Sequence, residues 1–216
     1  MKIKIDTTHI SDVLTGSSIL EKHINDTWFY KDVELISEKI YALVSEYGQG
    51  CMYLSYLLGG NVKLGYVQVY VDWNSISEKD LKSLSWNLEP LCSKVKNQQV
   101  KKSIQQAIVK TGCKLTFEEI SEQFFLTKER NDRKFKKLSG ERWRASAALG
   151  FVNGKTIFYA PYMTSAFYYQ MNSINLFKVL RYLADNGAVV VLPVGSDRFI
   201  RNIADECIYL DPEYLK

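Results

Sequence analysis

Residues 40–60 read IYALVSEYGQGCMYLSYLLGG, and three kinds of local structure follow one another in them. The run Ile40-Tyr41-Ala42-Leu43-Val44 has the unbroken apolar character of a strand covered on both faces. Gly48 and Gly50 then supply the backbone freedom of a tight turn. Residues 52–58 are apolar and long enough for a short helix. Strand, turn and helix in this order aim a helix N-terminus at the end of a strand. The orphan N–H groups of such a terminus suit an anion. Taken alone, the segment also describes a buried strand and a glycine turn with no ligand.

The layout is that of a phosphate-binding loop, whose pattern is G-x-x-x-x-G-K-[ST]. Here the same eight places read Ser45-Glu46-Tyr47-Gly48-Gln49-Gly50-Cys51-Met52. Gly50 keeps the last glycine. The lysine place holds Cys51, which is short and carries no positive charge. The place of the Mg²⁺ ligand holds Met52, whose thioether is a poor donor for a hard ion. Glu46 adds a negative charge. Backbone N–H groups of Gly48, Gln49 and Gly50 remain for a nucleotide phosphate, while charge neutralisation is lost.

Further segments fall in a fixed order along the chain. Lys137-Leu138-Ser139-Gly140-Glu141-Arg142 precedes an alanine-rich helical stretch. Residues 148–161 run into Phe158-Tyr159-Ala160-Pro161, and residues 188–197 read AVVVLPVGSD. The sequence from Ile203 to Leu210 reads IADECIYL, and before the glycine turn stands Tyr30-Lys31-Asp32-Val33-Glu34-Leu35-Ile36. After it comes Gly65-Tyr66-Val67-Gln68-Val69-Tyr70-Val71-Asp72, with Trp73 following. Over residues 28–211 this series resembles the ATP-binding cassette (ABC) ATPases. Leu138, Ser139, Gly140 and Glu141 stand at the LSGGQ signature, with its second glycine lost. Tyr159 and Ala160 stand at the Walker B Asp-Glu, with Pro161 kept. Ser196 stands at the switch histidine, with Asp197 kept, and Leu88 or Glu89 stands at the Q-loop glutamine.

The resemblance implies an α/β, P-loop NTPase-like fold: a mixed sheet flanked by helices, with a short helical subdomain. It implies one nucleotide-binding domain over residues 1–216, with the subdomain at about 91–145. In the family the Walker B aspartate holds Mg²⁺ and the glutamate activates water. Tyr159 and Ala160 do neither, and Ser196 has no imidazole. Phosphoryl transfer depends on positioning and charge stabilisation, so these losses together describe a pseudo-ATPase with no catalytic residues. Binding of ATP and Mg²⁺ is expected to be weakened. The retained Ser139 and Gly140 imply that the chain completes a partner's nucleotide site; they also serve as an N-cap for the helix that follows. Expected partners are a second copy or an intact ABC ATPase, and a transmembrane permease. Two alternatives stay open: an active ATPase in which Lys39, Arg142 or Lys155 substitutes, and a non-transport scaffold of the same fold.

The 216 residues are 46% apolar and carry a net charge of +4. That suits a single core and is too modest to argue for nucleic acid. The somewhat basic stretch 94–110 and the stretch 128–137, rich in both signs, read as solvated helix faces. Cys51, Cys92, Cys113 and Cys207 show no C-x-x-C spacing, so neither zinc nor redox chemistry is indicated, and His9 and His23 read as ordinary residues. The N-terminus alternates like a strand rather than a leader, and no run reaches the roughly 18 apolar residues of a membrane span. A cytoplasmic protein, peripheral to the inner face of a membrane through a partner, is the expectation.

Strands are expected at residues 1–6, 32–36, 39–44, 66–72, 156–159 and 188–192. Helices are expected at 52–58, from Ser77 onward, within 91–137, at 140–149 and at 176–185, the last ended by Asn186-Gly187. Residues 11–25 read as loop with a short helix. The aromatic group Phe158, Tyr159, Tyr162, Phe167, Tyr168 and Tyr169 either fills the vacant nucleotide space or forms an interface.

Overall fold

A computed structural model describes residues 1–6, 32–62, 67–164, 167 and 174–210, and the backbone of 14–16 and 24–26. In chain order its strands and helices are β1 (Lys2–Asp6), β2 (Leu14–Gly16), β3 (Ile24–Asp26), β4 (Val33–Ile36), β5 (Lys39–Val44), α1 (Cys51–Leu58), β6 (Gln68–Val71), β7 (Asn74–Ser75), α2 (Glu78–Leu84) and β8 (Ser85–Asn87). There follow α3 (Val100–Thr111), α4 (Phe117–Gln123), α5 (Arg142–Val152), β9 (Ile157–Tyr159), α6 (Ile174–Asp185), β10 (Val189–Val194) and β11 (Glu206–Tyr209).

The expected mixed sheet is realised as two. Strands β5, β8, β9, β10 and β11 pair entirely in parallel, in the order β11-β5-β10-β9-β8. An antiparallel sheet has the order β4-β1-β6-β7. Its strands alternate as one-sided strands do: Ile3, Ile5, Val33 and Leu35 are buried, while Glu34 and Ile36 face out. The outer face carries Lys2–Glu34 and Lys4–Asp32 ion pairs, each worth under about 1 kcal/mol.

The inner parallel strands β5, β9 and β10 are covered on both faces. Tyr41, Leu43, Ile157, Tyr159, Val189 and Val191 pack toward α1 and the antiparallel sheet. Ile40, Ala42, Phe158, Ala160, Val190 and Leu192 pack toward α5, α6 and the helices between β8 and α5. Every residue of α1 is buried between these layers. At roughly 1.5–3 kcal/mol per buried large apolar side chain, this burial outweighs the lack of any side-chain cap on α1. Gly60, at φ 61, ends α1: the Gly60 and Asn61 N–H groups donate back to Leu57 and Tyr56, a Schellman closure. Gly187 ends α6 in the same way, as Asn186-Gly187 led us to expect, with N–H groups of Gly187 and Ala188 donating to Ala184 and Leu183.

Helix α5 crosses the sheet so closely that a Cβ at Gly150 would collide with the Trp86 and Phe158 rings. Ser77 caps α2 in a capping box with Asp80, and Thr116 caps α4 with Glu119.

Several expectations change. Strand β8 was not foreseen, because Ser85-Trp86-Asn87 shows neither an apolar run nor alternation. Strand β10 runs two residues further than expected, through Pro193. The proline's carbonyl faces the β9 side and accepts from Met163, and β9 has already ended at Tyr159, so no ladder bond is lost there. The span 91–137 is only partly α-helical: beside α3 and α4 it holds single 3₁₀ turns at Pro90–Cys92, Lys94–Asn97, Lys128–Arg130 and Phe135–Lys137. Within residues 11–25 the described backbone is the β2–β3 ribbon rather than a helix. Tyr30, Lys31, Gly65, Tyr66, Tyr168, Tyr169 and both histidines lie outside the described residues.

Candidate functional site

The glycine turn leaves the carboxyl end of β5 and enters α1. Gly48 has φ 88 and Gly50, the N-cap, has φ 101, a region open to glycine at no steric cost. The Gln49 N–H, one of the groups expected to meet phosphate, donates inside the turn to the Glu46 carbonyl at 3.2 Å. Cys51 is fully buried with its sulfur 3.9 Å from the Ser45 carbonyl, and Met52 is buried with it. The lysine and Mg²⁺-ligand places therefore point into the core rather than toward a ligand.

The side chain brought onto this turn is Tyr162. It reaches there because the chain continues past β9 through Ala160 and Pro161. Its ring meets Tyr47 edge-on at 5.4 Å. A Cβ at Gly195, just after β10, would collide with its hydroxyl, so the glycine admits the ring. Burial pushes the Tyr162 hydroxyl above the usual tyrosine range, and the nearby Cys51 and Glu46 push it the same way. Filling the nucleotide space was one of the two roles the sequence left open for the aromatic group, and Tyr162 is the member that meets the glycine turn.

Tyr159 and Ala160 sit elsewhere. Tyr159 meets Tyr56 edge-on at 6.0 Å, its hydroxyl accepts from the Asn61 amide, and its ring fills the space left by Gly59. These neighbours lie at the far end of α1, about 12 Å along its axis from the glycine turn. Ala160 is buried, and its carbonyl accepts from the Ser55 hydroxyl at 2.6 Å. Ser196 is exposed, its hydroxyl accepting from the Arg198 N–H at 3.3 Å. Asp197 binds the Tyr209 hydroxyl and Arg201, which hold its carboxyl below the usual range. It thus ties the segment after β10 to β11.

The Q-loop and signature places are joined to each other. Leu88 is buried and its N–H donates to the Tyr159 carbonyl at 2.8 Å. The carboxylate of Glu89, also buried, accepts from Arg142 Nη2 at 2.8 Å and Nε at 3.0 Å, from Trp143 Nε1 at 3.0 Å and from the Leu91 N–H at 3.0 Å. Glu141 is buried and accepts from the Thr127 N–H at 2.6 Å, the Thr127 hydroxyl at 2.9 Å and Arg130 at 3.3 Å. Both carboxylates hold chain segments together. Leu138 belongs to the core, while Ser139 and Gly140 are exposed just before α5, whose N-cap is Glu141 without a side-chain cap, so the capping expected of Ser139 and Gly140 is not made.

The cations proposed as substitutes are engaged elsewhere. Lys39 lies at the opposite end of β5 from the turn and pairs with Glu206 at 3.4 Å. Lys155 donates to the Ser83 carbonyl, and Arg142 is held by Glu89. A magnesium nucleotide does not fit the residues present: its charge-bearing places hold buried sulfur atoms, and a tyrosine lies over the turn.

No protein-family model matches the chain, and no curated protein matches it. Solved structures do. The ABC transporter cassette MJ0796, described as bacterial and solved as a dimer, is 15% identical, with 96% of this chain and 94% of that chain covered and a TM-score of 0.66. The same cassette in a dimeric post-hydrolysis state with ADP and Pi gives 14% identity, 97% and 94% coverage and a TM-score of 0.67. CbiO1 of Clostridium perfringens, part of the ABC transporter complex cbiONQ, gives 12% identity, 97% and 84% coverage and a TM-score of 0.66. At such identities the likeness concerns architecture over nearly the whole of each chain: this protein has the P-loop NTPase-like fold of the ABC transporter ATP-binding cassettes.

Proposed function

We propose that this chain is a catalytically degenerate ABC-type subunit that does not hydrolyse ATP and serves as a partner or regulatory subunit of a membrane transport complex. The observation that carries this reading is Tyr162 lying against the glycine turn, where a nucleotide's phosphates would sit. The inward-turned Cys51 and Met52 and the internally used Gln49 N–H support it. Residues 1–216 form one nucleotide-binding-type domain in this reading, with about 91–145 as its helical arm, on the cytoplasmic face of the membrane.

The exposed Ser139-Gly140 turn supports a role in trans. A solvent-facing hydroxyl and glycine are open to an anion on another subunit, and cassettes of the same fold are dimeric. The chain would then complete the site of an intact ABC ATPase, or pair with a second copy. The relative cbiO1 belongs to a transporter complex, which favours a permease partner over a free scaffold.

The test is ATP hydrolysis by the wild-type protein and by Cys51→Lys. Neither is expected to turn over, since one restored cation leaves the Mg²⁺ and water-activating places empty. Mg²⁺-dependent turnover by the wild-type chain contradicts the reading. Recovery of the protein with an intact cassette and a multi-span protein separates the transport role from a scaffold.

A further inference from the structure

Two basic stretches that are separate in sequence meet in the fold. The turn Lys94–Asn97 packs against the turn Phe135–Lys137, and the Pro90–Cys92 turn packs against both. The junction is stitched by the Phe135 N–H donating to Gln98 at 3.1 Å and by a bridge between Gln99 and Lys134. Lys94, Lys96, Lys134, Lys136 and Lys137 are all exposed on it, with Arg133 beside them. Among the described residues none of these five lysines forms an ion pair. The nearby carboxylates of Glu89 and Glu141 are buried and already bound by Arg142 and Arg130. Negative charge lies to one side of the patch, where Glu118, Glu122 and Asp132 line a groove with Lys101 and Lys128.

We infer that this face is a docking surface for anionic phospholipid headgroups. Lysine is depleted in protein–protein interfaces. Among the described residues the exposed aromatics, Tyr47, Trp73 and Phe199, lie on other elements, so the described patch shows none of the stacking platforms of single-stranded nucleic-acid binders. Flexible lysine stems suit a diffuse layer of headgroup charge. Leu91, 39% exposed on the Pro90–Cys92 turn, adds an apolar side chain among the lysines. The surface is distinct from the glycine turn and needs no nucleotide.

The test is co-sedimentation of the full chain with vesicles of phosphatidylcholine alone and of phosphatidylcholine mixed with phosphatidylglycerol. The wild-type protein is expected to partition onto the mixed vesicles, to be released by salt, and to ignore the neutral ones. Each lysine near such a surface contributes roughly a fivefold factor, so Lys94→Gln, Lys96→Gln, Lys136→Gln and Lys137→Gln together are expected to weaken partition at least a hundredfold. A control with Lys79, Lys82, Lys110 and Lys114 changed to Gln removes the same charge elsewhere and is expected to bind nearly as well as wild type. Circular dichroism spectra identify either variant that fails to fold. The inference is overturned if wild type ignores anionic vesicles, if the first variant binds like wild type, or if the control loses as much. Salt-sensitive binding to a labelled single-stranded RNA without vesicle binding also overturns it. None of these outcomes bears on whether ATP is hydrolysed.

Discussion

Replacing Glu89 by Ala removes the acceptor from a buried cluster and leaves its donors behind. Glu89 has 4% of its side chain exposed and Arg142 has 22%, while Trp143 is fully buried. Breaking a buried pair from one side costs about 3–5 kcal/mol, because the remaining charge is stranded. Water reaching the Arg142 guanidinium places the expectation at the lower end, about 3 kcal/mol. For a chain of this size, that lowers the melting temperature by roughly 6–12 °C. Urea unfolding followed by tryptophan fluorescence reads the loss directly, since Trp143 donates to the carboxylate being removed. The paired change Glu89→Leu with Arg142→Leu is expected to recover most of the loss, because it leaves no unpaired charge. A Glu89→Ala protein within about 1 kcal/mol of wild type would refute the claim that this carboxylate ties the Q-loop place to α5.

The remaining expectations concern the turn and the edge of the sheet. Gly195→Ala is expected to cost about 1–3 kcal/mol through overpacking against Tyr162; in a Tyr162→Phe background the cost shrinks, since the colliding atom is the hydroxyl, and equal costs in both backgrounds would show that the ring lies elsewhere. At Asp205, burial pushes the carboxyl up, but Arg181 at 2.7 Å and the Ile40 N–H at 2.7 Å outweigh it and leave the group below the usual aspartate range. Its contribution is therefore present above the unfolded pKa of about 4 and is lost as pH falls through the lower folded value. Asp205→Asn is expected to destabilise modestly at neutral pH, by about 1 kcal/mol given the pair's exposure, with the gap closing in acid. A gap that widens in acid would contradict the assignment.

What could be read from the sequence was local or periodic. Residues 40–44 announced a buried strand by composition, Gly187 announced a helix end, and the stretch from Ser77 announced a helix start. The architecture was legible because several weak segments fell in a family's order. The geometry of the candidate site was not legible in the same way. Glu89 meets Arg142 across a separation of 53 residues, and nothing local in either stretch signals the pairing. Tyr162 reaches the glycine turn only because β9 ends early and Gly195 leaves room, so aligning Tyr159 and Ala160 to the lost acids pointed at side chains that face other parts of the core. Strand β8 owes its existence to pairing with β9, not to any pattern of its own. The lysines of residues 94–96 and 134–137 read as ordinary solvated positions until the fold set the two turns side by side.

The most direct measurement is calorimetric titration of the purified chain with ATP and Mg²⁺. With Tyr162 over the turn and no cation at the lysine place, the account predicts no saturable heat and no thermal shift. Stoichiometric binding in the micromolar range would show that the cradle is open and would contradict the account at its centre.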